Sequence, residues 1–158
     1  MGGAASLMRF RLKSGYKHQV QGDVDFLLPG AIVRWIDPTQ TMPPFLALKS
    51  NGAEPKLRRT LVVLAGYCFD GASGGMVDTE AALAGSLPHD ALYQMIRHGV
   101  MPLVARQACD DYAYEVWVRA GMWRARALNA WWWLKVGGET AARAERQKPI
   151  REVSLIAG

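Results

Sequence analysis

At 158 residues and 17.4 kDa the chain is long enough for one domain with a real core and too short for two comfortable ones. Half of its residues are apolar and 21% are charged, which argues against wholesale disorder and against a fibrous repeat. The net charge of +5 favours anionic partners, but the cations lie at the ends and along 119–148 rather than in one compact run, so no specific nucleic-acid partner is expected.

Residues 1–22 are mixed and polar and read as an N-terminal arm. The opening Met-Gly-Gly-Ala-Ala-Ser fits the myristoylation pattern and is read as coincidence. The start lacks the basic and apolar regions of a signal peptide, and no run approaches the roughly 20 apolar residues that span a bilayer. A chain made in the cytoplasm is therefore expected, with incorporation into a virion open to it.

A single domain is expected over 23–138. Its first part, 26–69, is β-rich: Ala31–Ile36, Phe45–Lys49 and Arg59–Phe69 are short runs of β-branched and aromatic residues separated by turn-forming Pro, Asn and Gly. Its second part, 78–136, is helical. Asp78 is placed to cap a short helix that Gly85 ends; Ser86 then caps another, with Pro88 in its first turn. The stretch from His98 to Pro102 breaks that helix, a second runs over Leu103–Ala120, and a third covers Met122–Val136 until Gly137 and Gly138 stop it. Residues 139–158 form a charged tail. The fold class that follows is α+β, a small antiparallel sheet followed by an antiparallel helical hairpin and a third helix. Cys68 and Cys109 have no metal-ligand spacing, and two free thiols are the default. Trp131, Trp132 and Trp133 diverge by about 100° each on a helix, so at least one is exposed or meets a partner, at a membrane interface or in an assembly.

The chemistry concentrates in Leu87–Ile96, "LPHDALYQMI". His89 shares a helical stripe with Leu92, Tyr93 and Ile96 and points inward. Asp111 shares one with Val104, Ala108, Tyr114 and Val118, and a buried carboxylate needs a partner. In a hairpin turning near Val100 the two residues stand at the same height, eleven before and eleven after the turn. The acidic neighbour Asp110 leaves open which of the two aspartates faces His89. An aspartate accepting one imidazole N–H leaves the second ring nitrogen as a general base, and a first-turn position is expected to lower the His89 pKa. Asp90 turns away from His89. With carbonyls of the loop from Tyr67 to Gly75 it is a candidate ligand of calcium, the one cofactor this reading implies.

His-Asp-x-x-Tyr followed by an inward Asp resembles the catalytic core of the phospholipase A₂ superfamily, with spacing similar to the parvovirus capsid phospholipase domain. The resemblance implies His89 as the base, Tyr93 as a supporting hydroxyl, Asp111 as the dyad partner, and Asp90 with the loop residues Tyr67, Phe69 and Gly71 as the metal site. Phe69 and Asp70 stand where that family's loop has glycines or small residues. Over about 60–136 the chain also resembles a phage and prophage family, domain of unknown function 1353, through "FDGAS", "HDALY" and "DDYAY" with a later glycine. Together these imply a phage-related protein with a calcium-dependent phospholipid or ester hydrolase site. The alternative is a non-catalytic structural or adaptor component of a phage-like particle, in which the same residues staple the fold. Partners would be a phospholipid membrane in the first case and particle proteins in the second. A metal-dependent phosphohydrolase with an H…HD…D set ranks low, because its third ligand would have to be His18.

Overall fold

The computed structural model describes residues 18–50, 59–71 and 77–143. The fold is α+β, with the strands first and three long helices after them. Strands β1 (His18–Gln19), β2 (Val24–Leu28), β3 (Leu46–Ser50), β4 (Arg59–Val63) and β5 (Cys68–Phe69) make two antiparallel sheets, one of order β2-β4-β3 and the other of β1 with β5. β4 is central and carries the buried Leu61, Val62 and Val63. In register across the larger sheet, Phe26 and Leu48 both face Leu61, and Val24 and Leu46 both face Val63. In β2 the inward Val24, Phe26 and Leu28 alternate with the exposed Asp25 and Leu27, the period of a half-buried strand.

The run Ala31–Ile36, expected as a strand, is instead the short helix α1 (Gly30–Val33) and its following turn. Its buried residues are Ile32, Val33 and Ile36, a spacing of one and four that only a helical path can turn to one side. Pro29 starts it by offering its carbonyl to the amides of Ile32 and Val33. Part of the expected N-terminal arm also belongs to the fold: β1 pairs with β5 and Val20 is in the core. Residues 1–17 and 144–158 lie outside the described residues, and with them most of the expected arm and tail.

The helices are α2 (Glu80–Arg97), α3 (Arg106–Arg119) and α4 (Arg124–Ala142), with a single 3₁₀ turn at Leu103–Ala105 leading into α3. α2 and α3 form the expected hairpin, and α4 packs against α3. The expected break at Gly85–Ser86 is absent. α2 is continuous, capped by Thr79, whose hydroxyl accepts the Ala82 N–H at 3.2 Å, and it runs straight through Pro88. An interior proline costs a helix roughly 3 kcal/mol. Here the buried Leu83, Leu87, Ala91, Leu92 and Met95 offset it, because α2 is enclosed on nearly every side. Gly85 serves packing rather than termination. A Cβ there would run into the ring of Trp117, whose indole lies against α2 and donates to the Ala82 carbonyl at 2.9 Å. α4 likewise continues through Gly137 and Gly138. Among the described residues no helix is long and apolar enough to cross a membrane. Cys109 is buried and Cys68 partly so.

Gly85→Ala should lower stability by about 1–3 kcal/mol through overpacking against Trp117. Gly137→Ala meets nothing within 4 Å and should raise stability, by up to about 1 kcal/mol of helix propensity. Urea midpoints of the two variants check the contrast, and equal midpoints would contradict the close approach of α2 and α3.

Candidate functional site

The hairpin brings His89 of α2 to a carboxylate of α3, and that carboxylate belongs to Asp110. His89 Nε2 donates to Asp110 Oδ1 at 3.0 Å, and the Tyr93 hydroxyl, one turn along α2, donates to the same oxygen at 2.7 Å. The other oxygen, Oδ2, accepts from Arg106 Nη1 at 3.0 Å, an i,i+4 pair within α3. Asp110 is 0% exposed. Its charge is therefore answered by three donors from two helices. Arg106 also donates to the Leu134 carbonyl of α4 at 3.1 Å, which ties the third helix to the same point. Gly138 makes that approach feasible, since a Cβ there would collide with the Tyr93 hydroxyl and crowd Arg106.

The expectation that Asp111 faces His89 is thus corrected by one residue. Neighbouring side chains on a helix differ by about 100°, and the α2-facing stripe of α3 is Arg106, Asp110, Ala113 and Trp117 rather than Val104, Ala108, Asp111, Tyr114 and Val118. Val104 is in fact exposed, and Asp111, its side chain 59% exposed, accepts from Trp131 Nε1 at 2.8 Å and pairs with Lys135 at 3.0 Å. Asp111 joins α3 to α4 on the outside. Arg106, which the sequence reading did not single out, was marked by its i,i+4 spacing to Asp110.

The electrostatics of His89 also differ from expectation. Because α2 begins at Glu80, His89 lies nine residues into the helix, far from the dipole effect of a first turn. Burial acts to lower its pKa, but the hydrogen bond to Asp110 and the nearby Asp90 outweigh burial, and the imidazole is held above its ordinary value. Asp90 Oδ1 lies 3.7 Å from Nδ1, too far for a strong hydrogen bond to the neutral ring and close enough to favour a proton there. Since a carboxylate only accepts, Nε2 carries a hydrogen in either state and Nδ1 is the nitrogen that titrates. Tyr93 is driven up, first by burial and then by the Asp110 charge, and so stays a hydroxyl that donates.

The residues expected to hold calcium are placed as follows. Asp90 is a partly exposed carboxylate, its side chain 26% open to solvent, beside His89. The Tyr67 carbonyl accepts the Val20 N–H at 2.9 Å. Phe69 is opposite His18 in the small sheet and buried in the core. Gly71 packs against His18 and Asp78, whose side chains pair at 2.8 Å; this second His/Asp pair also escaped the sequence reading. The hard oxygen donors suit calcium in kind. Among the described residues, however, no group of three or more His, Cys, Asp or Glu side chains is arranged to hold a metal, and 72–76 of the loop lie outside the described residues.

Asp110→Asn should cost about 3–5 kcal/mol, because it leaves the half-buried Arg106 guanidinium without its counter-charge. Asp111→Asn, at an exposed pair, should cost less than about 1 kcal/mol. Thermal or urea unfolding of the two variants measures the difference, and a larger loss at Asp111 would contradict the placement of the two carboxylates.

Comparison with protein-family models, curated proteins and solved structures gives no match to this chain.

Proposed function

We propose that the chain is a phage-related hydrolase with a phospholipase A₂-like His/Asp site, acting with calcium on a phospholipid or another ester, and with Asp110 rather than Asp111 behind the histidine. One observation carries this reading: Asp110 Oδ1 accepts from both His89 Nε2 and Tyr93. Nδ1 is left for proton transfer on the side of Asp90. There it takes a proton from water as the oxygen attacks the ester carbonyl, and Asp110 balances the imidazolium that forms. The same proton passes from Nδ1 to the departing alkoxide when the acyl C–O bond breaks, so the products are a carboxylic acid and an alcohol. Tyr93 keeps the Asp110 carboxylate oriented throughout. Calcium bound at Asp90 with loop carbonyls would supply polarisation of the ester carbonyl. Incorporation into a virion would bring such a site to a membrane.

A second reading has its own observation. Asp110 is bonded by three side chains and, through Arg106, reaches a third helix. That is what a fold staple requires, and a structural or adaptor protein of a phage-like particle would need no more.

Fatty-acid release from mixed anionic and zwitterionic liposomes, with calcium or with chelator, separates the two. Calcium-dependent release that vanishes in His89→Gln is the expected result. Because His89 must be unprotonated to act, the rate should fall on the acid side as the imidazole takes up its second proton. Absence of release under every condition, with calcium failing to shift the melting temperature and His89→Gln unfolding early, would leave the staple reading.

A further inference from the structure

The outward face of α4 has no cover among the described residues. Leu128, Trp132 and Val136 recur every four residues along it and are 54%, 54% and 61% exposed. Trp133 flanks them, edge-to-face with Trp132 at a ring separation of 5.4 Å. The inward face of the same helix is made of Ala127, Ala130 and Gly138, small residues that sit close to the body of the protein. Leu128, Trp132, Trp133 and Val136 therefore point away from the fold, whereas Leu134 packs inward and Trp131 reaches Asp111 of α3.

The pattern along this face is symmetric about Trp132. Leu128 lies four residues before it and Val136 four after, while the exposed Arg124 lies eight before and the exposed Glu139 seven after. Two copies of α4 laid antiparallel, crossing at Trp132, would put Leu128 of each against Val136 of the other and Arg124 of each beside Glu139 of the other. Such a self-complementary surface is what a two-fold interface needs. A lipid surface fits less well, because apart from Arg124 the cations beside this face are already engaged. Arg126 donates to the Val77 carbonyl at 2.9 Å, Lys135 pairs with Asp111, and Arg143 pairs with Glu139 at 2.6 Å.

We propose that the outward face of α4 is a docking surface for a second copy of this chain, forming an antiparallel α4–α4 dimer centred on Trp132. One helix face per copy is a small interface, and a dissociation constant in the micromolar range, ~1–100 µM, is expected.

Sedimentation velocity of the full chain across that concentration range tests the proposal. Wild type should pass from monomer to dimer. Trp132→Glu, which sets two carboxylates face to face at the centre, should remain monomeric with an unchanged melting temperature. Arg124→Glu should weaken the dimer roughly tenfold, and adding Glu139→Arg to it should restore most of the loss. A monomer at every concentration, or a dimer indifferent to Trp132→Glu, would overturn the proposal. So would a protein that stays monomeric and cosediments with phosphatidylserine vesicles, with the binding lost in Trp132→Glu, which would assign the face to a membrane.

Discussion

A carboxylate with no access to water has to be neutralised inside the fold, and Asp110 is the residue that imposes this demand. Its two oxygens are met by His89, Tyr93 and Arg106, so α2 and α3 can pack only at the height and rotation that satisfy all three. Much of the helical layer follows. Arg106 extends the network to the α4 backbone, and Gly138 gives it room. Apolar burial supplies most of the stabilisation, as in any domain of this size, but burial is not directional. The polar cluster selects one register among the many that would bury similar area.

The same arrangement sets the protonation of the histidine. Two carboxylates flank the ring, Asp110 at Nε2 and Asp90 on the side of Nδ1, and together they outweigh the desolvation that would keep a buried imidazole neutral. Linkage then gives the sign. A pKa raised in the folded state contributes stability that is fully present below the unfolded value near 6.5 and is lost as pH rises through the folded one. The distance from Asp90 to Nδ1 controls how strongly the folded state favours that proton.

How much of this was legible beforehand depended on whether local pattern or tertiary contact decided each feature. Arg59–Phe69 gave strands because Thr60, Val62 and Val63 fit a sheet, and Phe45–Lys49 gave one because Leu46 and Leu48 alternate onto its buried side. The hairpin around Val100 and the inward turn of His89 followed from helical spacing. Glycines misled the reading, since Gly85 and Gly138 break nothing and instead admit Trp117, Tyr93 and Arg106. Ala31–Ile36 carries strand-like composition with helix-like spacing, and spacing won. The choice between Asp110 and Asp111 turned on 100° of helix rotation, which only the docking of Trp117 and Arg106 fixes. Tyr67, Phe69 and Gly71 were expected as calcium ligands from their place in a motif, whereas strand pairing decides which of their carbonyls are engaged.

Asp110 holds the Nε2 proton of His89 and leaves Nδ1 to titrate above the ordinary histidine value. Nitrogen-15 NMR of the histidine rings across pH, with His89 assigned by comparison with His89→Gln, tests it directly. The account predicts an Nε2-protonated ring at high pH, a proton added at Nδ1 on acidification, and a midpoint above 6.5. An Nδ1-protonated neutral ring, or a midpoint below that value, would contradict it.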